Sequence, residues 1–302
     1  MTLAVTGGTG FVGQAVLDQA GQRGVPVRAL VRRDQAERAG TAWVRGDLHD
    51  LPALAALVQG AAAVVHIAGV VNTPDPAGFI AGNVEGTERL VEAARAAGVA
   101  RFVFVSSLSA REPGLSAYGR SKRLAEEVVQ TSGLDWTIVR PPAIYGPRDK
   151  DNLDLFKAAR LGVVPMPPAG RASWIHVDDL ARLLLDLVDA GELAKERIFE
   201  PDDGRAGGWQ HKDLAQAIGA AVGRRVWAPN LPKGLLSAAA RVDKALRGKS
   251  AKLTPDRVGY MAHPDWVCSP DQAVPAAIWQ PEVETGAGLA ATAAWYRAQG
   301  WL

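Results

Sequence analysis

Residues 2–24 read TLAVTGGTGFVGQAVLDQAGQRG, and their reading decides the fold. TLAVTG is a short β-rich run, and VGQAVLDQAGQRG is an Ala-rich helical stretch. Between them Gly7, Gly10 and Gly13 stand three apart. Such a turn needs residues that tolerate unusual backbone angles. It also needs bare backbone, so that a pyrophosphate can sit against amide N–H groups at the positive end of the helix that follows. Gly13 lets that helix approach the strand. The spacing carries one more residue before the second glycine than the G-x-G-x-x-G fingerprint, but the loop lies at the first βα junction of a βαβ series. Gly7, Thr9, Gly10, Phe11, Val12 and Gly13 are therefore expected to bind a dinucleotide.

Outward from this loop the first half keeps one rhythm. PVRALVRR, AWVRGDL, AAVVHIAG, RFVFVSS and DWTIVRPP are β-rich, and Ala-rich helical stretches separate most of them. The strands are continuous apolar runs rather than alternating ones, as strands buried on both faces are. Right-handed βαβ crossovers follow, giving an α/β, Rossmann-type doubly wound parallel sheet. Around residue 146 the rhythm breaks at YGPRDKDN, and GVVPMPPAGRAS is rich in proline. We expect residues 1–148 to form the dinucleotide-binding domain, with about 172–200 (WIHVDDLARLLLDLVDAG) returning to the sheet. Residues 149–171 and 201–302 then form a smaller, mostly helical C-terminal substrate domain.

Of 302 residues, 48% are hydrophobic and 22% charged, enough for a sizeable core. The formal net charge of +2, with both signs interspersed, gives no footprint for nucleic acid or an anionic membrane. No window approaches the roughly 18 apolar residues of a membrane span. Cys268 is alone and is read as a small buried hydrophobe. With no disulfide and no apolar leader before the first strand, the expected location is the cytoplasm.

The end of the second strand discriminates between dinucleotides. An acid there accepts from the adenosine ribose hydroxyls, whereas a cation binds a 2′-phosphate. RALVRR offers Arg32 and Arg33, and Asp34 comes too late, so NADP is preferred over NAD. In RGDLHD, Asp47, with Leu48 beside it, is placed to accept from the adenine amino group, and Asp50 is the better helix N-cap.

The segment AYGRSKRLAEEVVQ, residues 117–130, reads as a helix with an oddity. Its apolar stripe, Ala125, Val128 and Val129, faces away from Arg120, Arg123, Glu126, Glu127 and Gln130 and extends back by whole turns to Lys122 and Tyr118. An ammonium and a phenol thus occupy the side that is to be buried.

Taken with TGGTGFVG, the GDL after the third strand, HIAG, NVEGT, FVFVSS, YGRSK, VRPPAIYGP, WIHVDDLA and the closing GLAATAAWYRAQGWL, these features give a likeness over nearly the whole chain. The sequence resembles the extended short-chain dehydrogenase/reductase family, the NAD(P)-dependent epimerase/dehydratase group. The resemblance implies that Tyr118 and Lys122 are the family's Tyr-x-x-x-Lys pair. Lys122 lowers the phenol's pKa and bonds the nicotinamide ribose, and Tyr118 exchanges a proton with the substrate oxygen as hydride moves. Ser107 takes the position of the catalytic Ser or Thr, with Ser106 and Ser109 as fallbacks. Ala68 and Gly69 pass beneath the cofactor; Pro141, Ala143 and Ile144 lie by the carboxamide. Tyr145 and Arg148 are candidate substrate contacts.

Only ten residues separate Ser107 from Tyr118, shorter than in the family's sugar-nucleotide epimerases. The leading expectation is a ketone or aldehyde reductase acting on a small molecule. A nucleotide-sugar epimerase or dehydratase with retained NAD and a non-catalytic dinucleotide-binding subunit are the alternatives. His66 is read as structural. His176, Asp178 and Asp179 are read as strand end and helix cap rather than a metal site, and no metal is expected. Seven of the nine tryptophans fall in the second half, where core building is favoured over a substrate cap, and RVGYMAHPDWVC (257–268) looks substrate-facing. A homodimer through SKRLAEEVVQ and NVEGTERLVEAARAAG is the candidate assembly.

Overall fold

The computed structural model describes residues 1–302 apart from 74, 249, 250 and 252. The first part of the chain runs β1 (Leu3–Thr6), α1 (Phe11–Gln22), β2 (Val27–Val31), β3 (Thr41–Arg45), α2 (Leu51–Val58), β4 (Ala63–His66), a helical turn α3 (Ala77–Phe79), α4 (Gly86–Ala96), β5 (Arg101–Val105), α5 (Ala117–Gln130) and β6 (Asp135–Val139). Then come β7 (Ala143–Tyr145), α6 (Leu153–Arg160), β8 (Arg171–Ala172), β9 (Trp174–His176), α7 (Val177–Asp186), β10 (Arg197–Phe199), β11 (Trp209–Gln210), α8 (His211–Ala221), α9 (Lys233–Arg247), α10 (Pro255–Met261), β12 (Asp265–Trp266) and α11 (Thr285–Ala298).

Seven strands form one parallel sheet in the order β3-β2-β1-β4-β5-β6-β10. The order reverses between β1 and β4, so right-handed crossovers put α1 and α4 on opposite faces and open a crevice at the strands' C-terminal ends. Apolar residues of β1, β4, β5 and β6 pack with Leu54, Leu57, Leu90, Val91, Ala125 and Val129 of α2, α4 and α5 in one buried cluster. Side chains set the helix starts: Asp50 accepts from Ala53 N–H ahead of α2, as the sequence suggests, and Ser116 accepts from Gly119 N–H ahead of α5.

The chain divides into two compact units: Met1–Pro141 with Leu180–Glu200 and Gln272–Trp279, and Pro142–Asp179 with Pro201–Asp271 and Gln280–Leu302. Three expectations are corrected here, the first being that residues 272–279, expected in the substrate domain, belong to the first unit. WIH, as β9, does not join the large sheet but pairs with β7 in the second unit, which takes residues 142–148 and 172–179 out of the first. The strand that returns is β10, held beside β6 by register pairs such as Ile198↔Ile138. The second unit is mainly helical, with β7-β9 and a three-stranded sheet β11-β8-β12. Trp174, Trp209, Trp295 and Trp301 belong to its core, whereas Trp227 is 70% exposed. Residues 257–268 form most of α10 and then β12, with Trp266 Nε1 donating to the Tyr260 carbonyl. Cys268 is buried, as expected. No helix among the described residues is long and apolar enough to cross a membrane.

Candidate active site

The glycine loop is shaped by its own backbone. Gly7 has φ +75°, and a Cβ there would lie 2.7 Å from Ala68 N. A Cβ on Gly13 would sit 2.0 Å from the Gly7 carbonyl oxygen, so these two glycines are required by packing. Gly10 differs. A Cβ there would meet only that same oxygen, at 3.3 Å, a tight contact but not the overlap found at Gly7 and Gly13. Gly10 is also the N-cap of α1 and brings no side chain to its first amides. The result is an open backbone cradle at a helix N-terminus, with Thr9, Phe11 and Val12 around it, which fits a pyrophosphate.

Arg32 and Arg33 follow directly on β2 and are exposed. Asp34 is engaged by Arg45, whose Nη1 lies 3.0 and 3.1 Å from its two carboxylate oxygens. The exposed carboxylate of Asp47 accepts from His49 N–H, and Leu48 packs against Gly86 at the start of α4.

On α5 Lys122, Ala125 and Val129 of the stripe noted in the sequence are buried, and Tyr118 and Val128 are half-buried. Lys122 is 3% exposed; its Nζ donates to the Val105 carbonyl at 2.8 Å and lies 4.4 Å from the Phe104 ring centroid. Val105 is its only hydrogen-bond acceptor among the described residues, although an ammonium has three donors. Burial pushes its pKa down to about 8, against the opposing pull of Glu126. A Cβ on Gly69 would come within 3.7 Å of this ammonium. Tyr118, one turn earlier, is half-buried with its ring 5.9 Å from that of Phe79. A Cβ on Gly119 would be 2.6 Å from the Ser109 carbonyl oxygen, so glycine allows α5 to start against the 108–111 turn. The hydroxyls of Ser107 and Ser109 lie 2.9 Å apart, and the Leu108 N–H donates to the Pro141 carbonyl. The loop, Ala68, Gly69, Lys122, Ser107 and Pro141 therefore follow the C-terminal ends of β1, β4, β5 and β6.

Two buried polar clusters brace this edge. Thr87 Oγ1 donates to the Asn83 carbonyl, so it must accept from His66 Nε2, leaving Nδ1 to accept from Thr6 Oγ1 at 2.6 Å. Burial, and then the Lys122 charge, push the His66 pKa down to about 3; the ring is neutral and structural. Asn83, in a π-helical stretch at Ile80–Glu85, accepts from Val70 N–H and donates to the Val70 carbonyl and Ser121 Oγ, which donates to the Tyr118 carbonyl. NVEGT is visible in the sequence, but the bracing role of its asparagine is not.

The second cluster corrects an expectation, because Glu126 does not lie on the polar face of α5. Glu126, fully buried one turn after Lys122, accepts from Ser106 Oγ at 2.5 Å and from Arg140 Nε and Nη2 at 2.8 and 2.6 Å. Arg140 also lies 3.5 Å from Glu200. Burial opposes the Arg140 charge, but bonding and attraction from the two glutamates hold its pKa above the ordinary value. Ser106 is thereby committed to the interior, leaving Ser107 and Ser109 as the half-buried hydroxyls.

The remaining sequence candidates lie in the second unit. Ala143 and Ile144 are half-buried on β7, and the Ile144 carbonyl accepts from Asn152. Tyr145 corrects an expectation: it is fully buried in the second unit's core, its ring against Trp174 and His176, and does not reach a substrate surface. Arg148 is half-buried with φ +74°. His176 Nδ1 accepts from Asp178 N–H, and Asp179 accepts from Glu282 and Val283 N–H. Among the described residues no group of three or more His, Cys, Asp or Glu side chains is arranged for a metal ion. A concavity of about 660 Å³ lined by Pro113, Ser116, Arg120, Arg123 and Leu124 lies on the face of α5 opposite Lys122.

Comparison with known proteins agrees with this geometry. A family model described as NAD(P)H-binding matches residues 7–190. Ceramide reductase of Caulobacter vibrioides is 36% identical, covering 99% of this chain and 96% of the relative. The 2-alkyl-3-oxoalkanoate reductase of Stenotrophomonas maltophilia is 29% identical over 88% and 83% of the two chains. Among solved structures, gox2253 superposes with a TM-score of 0.79 at 25% identity, covering 100% and 99% of the two chains. MoeE5 in complex with UDP-glucose and NAD superposes with 0.75 at 21% over 99% of both, which shows the fold. The chain belongs to the NAD(P)H-binding, extended short-chain dehydrogenase/reductase family and is an NAD(P)-dependent oxidoreductase.

Proposed function

We propose that the protein is an NADPH-preferring reductase of a ketone borne on an alkyl-chain, lipid-like molecule. The observation that carries the reading is the Lys122 ammonium: buried beside Gly69, one turn from Tyr118, and left with two N–H donors beyond its bond to Val105. A structural lysine in that position lacks acceptors, whereas a ribose supplies them. The cofactor supplies hydride to the carbonyl carbon.

The chain's own residues do the rest. Tyr118 gives its phenolic proton to the carbonyl oxygen, so that ketone, NADPH and a proton become alcohol and NADP⁺, and the phenol is reprotonated from solvent. Lys122 favours the charge that Tyr118 acquires. Ser107 donates to the same oxygen and orients it. Gly7, Thr9, Gly10, Phe11, Val12 and Gly13 hold the pyrophosphate, Ala68 and Gly69 line the floor, and Asp47 and Leu48 hold the adenine. Arg32 and Arg33 hold the 2′-phosphate, a role supported by the engagement of Asp34 with Arg45.

The substrate class rests on the names of the two reductases above, one of which matches nearly the full chain. The test is a spectrophotometric screen of NADPH oxidation against long-chain 3-oxo amides, 3-oxo acids, short ketones and nucleotide sugars, with Tyr118→Phe as control. Turnover of the long-chain ketones that is lost in the variant supports the reading. Conversion of a nucleotide sugar without net NADPH consumption overturns it in favour of an epimerase or dehydratase. Dinucleotide binding with no turnover of any substrate overturns it in favour of a non-catalytic subunit.

A further inference from the structure

The formal charge of +2 hides a strong segregation. Residues 224–252 carry Arg224, Arg225, Lys233, Arg241, Lys244, Arg247, Lys249 and Lys252 against the single acid Asp243; the rest of the chain has 26 basic and 31 acidic residues. The same segment holds exposed apolar side chains. Leu236 and Ala240 of α9 turn inward against Val258, whereas Leu235, Val242 and Leu246 are 54, 57 and 80% exposed. With exposed Ala239 these three recur at intervals of four, three and four residues, a single stripe along the helix. By helical spacing Arg241 lies about 130° around the helix from this stripe, and Arg247, exposed at the end of α9, lies on the side of Leu236 and Ala240 with its Nε 3.2 Å from Asp243 Oδ1.

Just before α9, Val226 packs into the core while its neighbours Arg225 and Trp227 are exposed. Trp227 bridges in parallel to Val163, itself 38% exposed.

We propose that α9 and the Arg225–Trp227 edge form a docking surface for an anionic lipid bilayer. Aliphatic side chains in one helical stripe, a partly exposed tryptophan and long basic side chains are what an interfacial helix uses: the apolar groups enter the acyl boundary and the cations stay with the headgroups. Charge favours lipid over a second copy of this chain, because pairing two such surfaces would set Arg224, Arg225, Lys233, Arg241 and Arg247, with the single acid Asp243, against the same set. The surface is argued without the substrate, so its failure leaves the reductase reading intact; a lipid ketone would reach the enzyme from such a membrane.

The experiment is co-sedimentation of the full chain with vesicles of phosphatidylcholine alone or mixed with phosphatidylglycerol, at low and high salt. The wild type pellets with the mixed vesicles, not with phosphatidylcholine alone, and high salt releases it. Val242→Ser with Leu246→Ser, and separately Arg241→Glu with Arg247→Glu, each weaken binding by at least about tenfold. Unchanged NADPH affinity and circular dichroism show that both variants are folded. Failure of the wild type to pellet with anionic vesicles overturns the proposal. So does equal binding to phosphatidylcholine, or wild-type binding by both variants. A wild-type dimer in sedimentation velocity that Val242→Ser with Leu246→Ser dissolves also overturns it, since a second copy then covers the stripe.

Discussion

Lys122 and Glu126 are one turn apart on α5 and both are buried, yet their surroundings are opposite. Glu126 accepts three short hydrogen bonds, from Ser106 and two nitrogens of Arg140. Lys122 makes one, to Val105. A charge that serves only the fold is matched by its neighbours, because an unmatched buried ion costs several kcal/mol. A charge left under-matched beside Gly69 is, in the proposed function, held ready for groups that arrive from outside. The two residues therefore separate the part of α5 that holds the sheet together from the part that we propose does chemistry.

Substitutions can break that contrast in order of expected effect. Tyr118→Phe removes the proposed proton donor and keeps the ring; kcat falls by about 10²–10⁴-fold while melting temperature and NADPH affinity hold, measured by steady-state kinetics and calorimetry. A loss of folding instead would place Tyr118 with Glu126 on the structural side. Glu126→Ala strands Arg140 beside Glu200 and costs about 3–5 kcal/mol in urea unfolding. A double cycle with Arg140→Ala should show strong coupling between the pair, and independent effects would dissolve the contrast.

Lys122→Met should separate stability from activity. The folded-state pKa of Lys122 is lowered to about 8 from 10.5, so the unfolded chain binds more protons between those values. Stability therefore rises with pH across that window, and below it the buried charge is a standing cost. The variant melts higher than wild type at neutral pH, lacks that rise and loses reductase activity. A lower melting temperature would show that Lys122 is structural after all.

The smallest effect concerns the end of β2. Arg32→Ala weakens NADPH by about 10–100-fold, in proportion to a lost charge-assisted bond, and leaves NADH unchanged. Isothermal titration reads both.

Local chemistry made the strands β1 to β6, the glycine loop and the Tyr118–Lys122 stripe legible, because each single element is written within about a dozen consecutive residues. The Glu126–Arg140–Glu200 cluster was not, since its members lie 14 and 60 residues apart and meet only once β5, β6 and β10 are side by side. Tyr145 shows the same limit from the other direction. A tyrosine after a strand reads as a site residue until its fully buried ring is seen among Trp174 and His176. The strand β10 is three residues long and gives almost no periodic signal, so the longer WIHVDDLA stretch was expected to return in its place. Averaging hid the basic segment around α9, because a whole-chain sum cancels what the fold segregates.

The most direct measurement is the titration of Lys122 itself: the 13Cε resonance of lysine-labelled protein, assigned by its absence in Lys122→Met, followed against pH with and without NADPH. The account predicts a midpoint near 8 in the free protein, moving upward when the cofactor supplies the missing acceptors. A midpoint at the ordinary lysine value, or one that NADPH leaves in place, would contradict it.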